Sequence, residues 1–142
     1  MQNNIHTIIS SIGYGKGDTL DVLSKTHLMQ MVNSNFVVPS LILKSSLSPL
    51  NRSGGGRVIL LSSIVAIVPR EGYSGYTGSK IALKGLVESS RYELRNIYTN
   101  VSIHSIYSTS FELVEYRSIY DTVIFLMSVK YGVHADVILS VQ

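Results

Sequence analysis

Short apolar runs occur at four places along the chain, separated by longer stretches in which apolar residues recur at helical spacing. The runs are Ile5 to Ile9, Val58 to Leu61, Val101 to Ile106 and Val137 to Val141. Runs of this length that are rich in β-branched residues and end in polar or glycine-containing segments are typical of strands in a parallel sheet. We therefore predict four strands, with Val101 and Ile103 on one face of the third.

The stretches between these runs predict three helices. Ser24 is a suitable N-cap for a helix that continues to Leu50, with a bend near Pro39. A second long helix is predicted from about Ser74 to Ile97, and a third from Arg117 to Ser128. The inward side of the second helix is predicted to carry these aliphatic residues: Ile81, Leu83, Leu86, Val87 and Leu94.

This alternation of strands and helices predicts an α/β fold with a parallel sheet. The chain has 142 residues, of which 45% are apolar and 15% charged, so it can bury the core of one ordinary domain. No internal repeat or linker divides it. We therefore expect residues 1–142 to form a single domain.

The charge pattern argues against several classes of partner. A net charge of +3 arises from Lys and Arg residues that are scattered along the chain, without the basic stripe typical of nucleic-acid binding. There is no cysteine, and the histidines are dispersed without ligand spacing, so we expect no metal site. No segment reaches the run of roughly 18 apolar residues that crosses a membrane. We expect a soluble, cytoplasmic protein.

Two glycine-rich stretches resemble phosphate-binding motifs only superficially. In Gly13-Tyr-Gly15-Lys-Gly17, Asp18 stands where a dinucleotide-binding turn has its last glycine. The stretch Ser53-Gly-Gly-Gly56 precedes a strand, whereas a phosphate site of this kind joins a strand to a helix. We interpret both stretches as loops.

Candidate chemistry is concentrated around the second strand and the helix that follows it. The strand Arg57-Val-Ile-Leu-Leu-Ser62-Ser63 ends in hydroxyl groups, and Tyr76 and Lys80 lie one helical turn apart on the same helix face. A nearby ammonium favours the phenolate, so we expect a pKa for Tyr76 below that of free tyrosine. Ser63 offers a hydroxyl to a carbonyl oxygen, whereas Ser62 is interpreted as a strand-end hydroxyl that caps a backbone group. Lys84 is interpreted as a surface charge.

These residues resemble the catalytic centre of the short-chain dehydrogenase/reductase family. The spacing from Ser63 to Tyr76 is common in that family, and Gly13 resembles the glycine that closes its Asn-Asn-Ala-Gly loop. Two further features of the chain are similar to the family pattern: Gly56-Arg57 at the start of the serine strand, and Ala82, Gly85 and Leu86 in the helix after Lys80. The resemblance extends from about Ile5 to Ile106.

The resemblance implies a reaction and a cofactor. Tyr76 would exchange a proton with the carbonyl or alcohol oxygen of a small molecule, while hydride moves to or from NAD or NADP. Ser63 would bind the substrate oxygen, and Gly13, Tyr76 and Lys80 would contact the cofactor. The fourth catalytic residue would be Asn35, with Asn33 as the alternative, and its side chain would hold a water molecule that joins the lysine to solvent.

The family's cofactor-binding N-terminal half, with its first strands and glycine-rich turn, has no counterpart here. The resemblance therefore implies a truncated catalytic domain with a partial Rossmann-like parallel sheet of about four strands. Both long helices would pack on one face of this sheet, and Ile5 to Ile9 would form a bare edge.

Two other functions remain open from the sequence. A non-catalytic interaction module would form a homodimer by pairing the helices at Ser24 to Leu50 and Ser74 to Ile97. Small residues on the second helix would permit close approach: Gly78, Ala82, Gly85 and Ser89. The remaining interpretation is a degenerate fragment without function.

Overall fold

The computed structural model describes residues 4–109 and 116–139. Within these residues, strands β1 to β4 span Thr7–Ser10, Gly56–Ser63, Val101–Ser108 and Ala135–Leu139. Helices α1 to α4 span Lys25–Val32, Val38–Arg52, Ser74–Leu94 and Tyr116–Ser128. A π-helical segment, Asn33–Val37, joins α1 to α2, and a 3-10 turn, Ile64–Ala66, follows β2.

The sheet contains the described strands in the order β1-β2-β3-β4, and every neighbouring pair is parallel. The predicted α/β fold with a partial Rossmann-like sheet is therefore confirmed. Thr7 of β1 pairs with Arg57 of β2, and Gly56 of β2 pairs with Val101 of β3. β4 begins earlier than predicted, at Ala135, and the predicted strand residues 140 and 141 lie outside the described part of the chain.

Both faces of the sheet are covered by helices. α2 and α3 pack on one face, where their apolar residues meet alternate residues of β2 and β3, including Val58 and Ile103. The opposite face is covered by α4, whose Leu126 packs against Ile59 and Ile106. Because successive side chains of a strand point to opposite faces, this arrangement buries β2 and β3 along nearly their full length. The prediction that both long helices pack on one face is confirmed.

The prediction that Ile81 of α3 faces the core is wrong. Leu83 and Val87 are buried against the sheet, and Leu86 and Leu94 are partly buried against the same cluster, but Ile81 is 44% exposed. With 3.6 residues per helical turn, position 81 lies roughly 200° around the helix axis from position 83. Ile81 therefore faces away from the sheet.

The first long helix is interrupted by the π-helical segment, just before the proline at which a bend was predicted. Pro39 lies in the first turn of α2 and has no N–H, so the carbonyl of Asn35 lacks the donor that an α-helix would provide. The N–H of Val38 donates to the carbonyl of Asn33, five residues earlier. Proline at this position thus favours the wider π geometry, which is frequent at functional sites.

Strand β1 forms one edge of the sheet and pairs only with β2 among the described residues. Its outer side is open, and Ile9 is 48% exposed. The edge was predicted to be bare, and the described structure agrees. No helix in the described part of the chain is long and apolar enough to cross a membrane.

Candidate active site

The candidate site lies at the carboxyl ends of β1 and β2, where the loop after β1 meets the first turns of α3. Strand β2 ends at Ser63, whose extended backbone leads into the 3-10 turn. The Ser63 Oγ accepts a hydrogen bond from the Val65 N–H at 3.4 Å. Val65 and Ala66 are buried, so the turn is anchored in the core and directs the serine toward α3.

Tyr76 and Lys80 occupy the same face of α3, directed into the site. The Lys80 Nζ lies 5.7 Å from the centre of the Tyr76 ring, and the lysine is only 3% exposed. The Ser63 side chain lies close enough to the Tyr76 hydroxyl to favour its phenolate form. The structure therefore brings together Ser63, Tyr76 and Lys80, as the sequence predicts.

Asn35 is fully buried at the centre of the π-helical segment. Its Oδ1 accepts a hydrogen bond from the Tyr14 N–H at 2.8 Å, and its Nδ2 donates to the Tyr14 carbonyl at 2.7 Å. The second Nδ2 hydrogen goes to the Ser79 Oγ at 2.9 Å. Asn35 thus ties the loop after β1 to helix α3. The alternative, Asn33, is exposed.

These bonds change the role expected of the Asn35 side chain. Both of its amide hydrogens are taken by protein groups, so only one lone pair of Oδ1 is left for a water molecule. The side chain therefore fixes the loop, and its holding a water through the remaining lone pair stays a prediction. Ser79 extends the connection, because its Oγ donates to the Tyr76 carbonyl at 2.7 Å.

Gly13 lies against Asn35 and Lys80. A Cβ atom at this position would lie 3.3 Å from the Asn35 Oδ1 and 3.4 Å from the Lys80 Nζ. The absence of a side chain lets the loop backbone approach both groups closely. Gly13 therefore lies beside Asn35 and Lys80, and its contact with a cofactor stays a prediction.

Burial dominates the electrostatics of the site. It lowers the pKa of Lys80 to about 8, because the charged ammonium is poorly solvated. Burial also raises the pKa of Tyr76, and the nearby Ser63 side chain only partly opposes this. The expectation that Lys80 lowers the pKa of Tyr76 is therefore wrong for the chain without cofactor. Burial disfavours the charged form of each group more than their proximity favours it.

Lys84 and Ser62, two residues next to the site, have different surroundings. Lys84 forms an ion pair with Glu88 at 2.5 Å on the helix surface, in keeping with its interpretation as a surface charge. Ser62 is buried, and its hydroxyl has no hydrogen-bond partner in the described structure. Its interpretation as a backbone cap is therefore wrong: at the very end of the strand, the neighbouring backbone groups are already engaged in the ladder to β3.

Sequence reasoning missed a set of buried hydroxyl groups without partners near the site. They belong to Ser10, Ser62, Thr77 and Thr109. Ser10, Ser62 and Thr109 lie at or just beyond the carboxyl ends of three neighbouring strands, and Thr77 follows Tyr76. Ligands of parallel α/β sheets bind at these strand ends, and a buried hydroxyl without a partner needs a ligand or water to complete it. The serine and threonine residues at the predicted strand ends could have indicated these hydroxyl groups in the sequence.

His104 and His134 have structural positions away from this site. The Nδ1 of His104 accepts a hydrogen bond from the Ala135 N–H at 3.2 Å, and the Nδ1 of His134 accepts one from the Ile103 N–H at 3.0 Å. Both bonds join β3 to the start of β4. Within residues 4–109 and 116–139, no group of acidic or histidine side chains is arranged to hold a metal ion.

Comparison with known proteins agrees with the geometry. The family model of the short chain dehydrogenases matches residues 1–117. The human protein called dehydrogenase/reductase SDR family member 4 is 39% identical over 79 residues, which cover 54% of this chain and 28% of that protein. The uncharacterized oxidoreductase YbbO of Escherichia coli K12 is 27% identical over 101 residues, covering 71% of this chain and 38% of YbbO.

Solved structures share the fold at low sequence identity. A metagenomic short-chain oxidoreductase in complex with NADP superimposes with a TM-score of 0.82 at 22% identity, covering 98% of this chain and 63% of that one. Serine dehydrogenase from Escherichia coli gives a TM-score of 0.85 at 14% identity, covering 96% of this chain and 63% of that one.

The fold is thus of the Rossmann-like α/β class, with its polar groups gathered at the carboxyl ends of the strands. The chain belongs to the short-chain dehydrogenase/reductase family of oxidoreductases. It spans less than two-fifths of the length of these curated relatives, 28% and 38% respectively.

Proposed function

We propose that this chain forms the catalytic part of an NAD(P)-dependent oxidoreductase that interconverts a ketone and a secondary alcohol, with Tyr76 as the general acid and base. The observation that carries the proposal is the convergence of Ser63 and Lys80 on Tyr76, beside a loop fixed by Asn35. Family relatives solved in complex with NADP and with NADH support a nicotinamide cofactor.

The residues present fit the nicotinamide end of such a cofactor. The missing side chain at Gly13 leaves the loop backbone close to the Lys80 Nζ, and Ser10 contributes a buried hydroxyl without a partner close by in the chain. Gly13, Tyr76 and Lys80 would hold the nicotinamide ribose. The bound nicotinamide would supply or accept the hydride. The glycine-rich segment Gly13 to Gly17 after β1 is followed by seven further residues before α1, so it does not lead directly into a helix as a pyrophosphate-binding turn does, and the adenosine end needs other residues.

The side chains of the site have complementary tasks in the proposed reaction. Because its pKa is raised, Tyr76 is protonated at neutral pH and ready to donate to a carbonyl oxygen. The Ser63 hydroxyl would donate a second hydrogen bond to the same oxygen as negative charge develops there. The pKa of Lys80, about 8, lets its amine exchange a proton near neutral pH and help restore the tyrosine proton.

The first test is cofactor binding by the purified chain. The chain has no tryptophan, so binding of NADH or NADPH is followed directly by nucleotide fluorescence, together with the melting temperature. Saturable binding is expected to stabilise the fold by about 2.7 kcal/mol at a nucleotide concentration of roughly 100 times Kd. A folded, monodisperse sample that binds neither nucleotide would contradict the proposal for this chain by itself.

Catalysis is tested with a matched pair of tyrosines on α3. Tyr76→Phe is expected to bind the cofactor and to lose turnover by a factor on the order of 100 to 10,000, the usual contribution of a general acid or base. Tyr92 is 74% exposed on the same helix, so Tyr92→Phe is the control and is expected to keep full turnover. Equal activity in both variants would refute the role of Tyr76.

A second candidate function is a non-catalytic homodimerisation module, favoured by the outer face of α3. Gly78, Ala82, Gly85 and Ser89 are all exposed, and a Cβ at Gly78 or Gly85 would meet open space. An apolar groove of about 320 Å³ lies beside them, lined by α1, the π-helical segment and α3. A second copy that pairs its helices here would bury this groove.

The dimer is tested by sedimentation velocity of the chain and of Gly78→Arg. Arginine at Gly78 is expected to convert a dimer into a monomer, because a bulky charge would occupy the groove. Tyr120 is exposed on α4, on the opposite side of the sheet, so Tyr120→Arg is the control and is expected to leave a dimer intact. A monomeric wild-type chain at high concentration would rule out this function.

A further inference from the structure

The loop after β1 carries glycines at alternate positions, and each faces a different side chain of the site. Gly13 lies against Asn35 and Lys80. A Cβ at Gly15 would lie 3.4 Å from the Cε2 of Tyr76, and a Cβ at Gly17 would lie 3.1 Å from the Cζ of Tyr73. We call the segment from Gly13 to Gly17 the glycine strap.

The residues between the glycines are engaged elsewhere. The Tyr14 ring is 6.4 Å from the ring of His27, and the Lys16 Nζ is 3.7 Å from an Asp18 carboxylate oxygen. The strap therefore has a bare face toward the site and a face that carries side chains. Asn35 holds the Tyr14 backbone by its N–H and its carbonyl, which fixes the strap between its first two glycines.

The strap glycines differ from other residues in the space beside them and not in backbone conformation: an added Cβ would be tight at Gly13 and Gly17, at 3.3 and 3.1 Å, and at ordinary van der Waals distance, 3.4 Å, at Gly15. Positive φ angles in the described structure occur at Gly54, Gly55, Gly72 and Gly132. The strap glycines are absent from this set, so alanine can adopt the backbone at each of them. What distinguishes these positions is the proximity of aromatic rings and of the Asn35 and Lys80 side chains to the missing Cβ atoms.

The Tyr76 ring is enclosed by groups that the strap holds in place. A Cβ added at Gly15 would be in van der Waals contact with the ring, and Tyr73 approaches it edge-on, with ring centres 6.4 Å apart at an angle of 66°. Tyr73 is itself held between Gly17 and Arg70, whose guanidinium lies 5.2 Å from the centre of the Tyr73 ring. Movement of the strap would therefore change the position of the Tyr76 ring both directly and through Tyr73.

We propose that Gly15 and Gly17 are positioning residues for Tyr76, and that the glycine strap sets the orientation of its ring. Gly15 acts on Tyr76 directly, and Gly17 acts through Tyr73. The purpose of this positioning, proton transfer by Tyr76, rests on the proposed function, whereas the packing does not. A displacement of the reacting group by about 1 Å is expected to lower turnover on the order of 100-fold.

The packing is tested by NMR of the chain with ¹³C-labelled tyrosine, in which Tyr76→Phe identifies the Tyr76 resonances. Gly15→Ala is expected to shift the Tyr76 ring resonances more than those of the exposed Tyr92, and Gly15→Val is expected to shift them further. Because a Cβ at Gly85 meets open space, Gly85→Ala and Gly85→Val on the same helix as Tyr76 are the controls and should leave Tyr76 unchanged. If Gly15→Val fails to fold, Gly15→Ala decides.

A pair of substitutions tests whether Gly17 acts on Tyr76 through Tyr73. Gly17→Ala is expected to move Tyr73 and to shift Tyr76 less than Gly15→Ala does. In a Tyr73→Ala background the added methyl group has no ring to displace, so Gly17→Ala should then leave Tyr76 unchanged. If Gly17→Ala shifts the Tyr76 resonances equally with and without the Tyr73 ring, Gly17 does not act through Tyr73.

A titration separates positioning from a general loss of structure. Burial raises the pKa of Tyr76, so a ring displaced toward solvent by Gly15→Val should titrate at lower pH than in the wild type. Where turnover is measurable, Gly15→Val should lower kcat at least tenfold, about 1.4 kcal/mol of barrier, with little change in KM. Unshifted Tyr76 resonances in a folded Gly15→Ala chain would overturn the inference. Shifted resonances in a chain that never turns over would instead refute the proposed function.

Discussion

The two ends of the sheet treat their buried polar groups in opposite ways. At the amino ends of the strands, the Arg91 guanidinium forms paired bonds of 2.7 Å to Asp136 and bonds the Ile103 carbonyl at 3.1 Å. Arg57 bonds the carbonyls of Met127 and Val129 there through its two terminal nitrogens, and the exceptions on this side are the Arg57 Nε and the His104 Nε2, which are buried without partners. At the carboxyl ends, by contrast, several buried hydroxyls lack partners and a lysine is buried without a carboxylate.

This difference separates stability from function within one sheet. Paired groups at the amino ends join α3, α4 and the strands, so their bonds offset the cost of burial. Unpaired groups at the carboxyl ends keep that cost until a water molecule or a ligand completes their hydrogen bonds. Variants at the amino ends should therefore alter stability, whereas variants at the carboxyl ends should alter activity and stability in opposite directions.

The largest expected effect is that of Lys80→Met. Turnover should fall by a factor on the order of 100 or more, since the residue is placed in the proton-transfer site. The chain should at the same time become more stable at pH 7, by up to about 3 kcal/mol, because the buried ammonium is removed. Lys84→Met, one turn further along and on the helix surface, is the control and should change either property little.

The stabilisation by Lys80→Met should become smaller as the pH rises above 8. The pKa of Lys80 falls from 10.5 in the unfolded chain to about 8 in the fold, so the penalty is full below pH 8 and is relieved as the pH rises toward 10.5. The free energy of unfolding of the wild type should therefore increase above pH 8, as Lys80 loses its proton in the folded chain. Urea denaturation up to about pH 9.5 avoids the titration of Tyr76. A wild type and a Lys80→Met variant of equal stability would contradict the effect.

Much of this site follows from the sequence, because its central spacings are local. Ser63 is the last residue of a strongly apolar strand, and Tyr76 and Lys80 share a helix face by periodicity alone. The pKa of Tyr76 could not be predicted, because the opposing effect is burial by distant parts of the chain. The bonds from Asn35 to Tyr14 likewise join positions 21 residues apart, and no local pattern encodes them.

The fold shows the same division. Apolar runs located the strands, and Pro39 signalled an irregular helix. The side of α3 that faces the sheet was only partly predicted, because Ile81 is as apolar as Leu83 and was assigned by hydropathy, although helical spacing places the two residues on opposite sides of the helix. The role of His104 in holding β4 was not predictable, since it depends on the register between β3 and β4.

His104→Asn tests the amino end by acid titration. Burial lowers the pKa of His104 from 6.5 to about 4, and its Nδ1 accepts the Ala135 N–H only in the neutral form. The wild type should therefore lose up to about 3 kcal/mol as the pH falls from 6.5 to 4, since the unfolded chain takes up the proton first. Asparagine keeps an acceptor without the titration, so the variant should lose less.

The control for this acid titration is the exposed His6. His6→Asn should lose stability between pH 6.5 and pH 4 in parallel with the wild type. Measurement by urea denaturation at several pH values compares the three chains. A His104→Asn chain with the same acid dependence as the wild type would show that other groups cause it.

Arg91→Met removes a partly buried ion pair at the amino ends and should destabilise the chain by about 1 to 3 kcal/mol. The Asp136 carboxylate would lose its partner, and the Ile103 carbonyl would lose a donor. Arg95→Met, on the exposed side of the same helix end, should cost less than about 0.5 kcal/mol. Cofactor binding by the folded Arg91→Met chain should match the wild type, and a selective loss of binding would argue against the separation of the two ends.

The smallest expected effect comes from a pair of buried serines on neighbouring strands. The Ser102 Oγ accepts a hydrogen bond from the Gly132 N–H at 3.0 Å, at the amino end of β3, whereas the Ser62 Oγ at the carboxyl end of β2 has no partner. Ser102→Ala should destabilise the chain by about 1 kcal/mol, because it leaves a backbone donor unpaired. Ser62→Ala should be neutral or stabilising by up to about 1 kcal/mol, because it removes an unpaired buried hydroxyl.

Each substitution removes one hydroxyl oxygen from a buried serine in a strand, so the two variants lose the same volume. They differ only in the hydrogen bonding of that oxygen. Chemical denaturation of the two variants therefore compares the ends of the sheet directly. Saturating nucleotide should widen the difference if the Ser62 hydroxyl is completed by a ligand, since Ser62→Ala would then lose part of the ligand's stabilisation. Equal destabilisation by the two substitutions, with and without nucleotide, would mean that the unpaired hydroxyls are not reserved for binding.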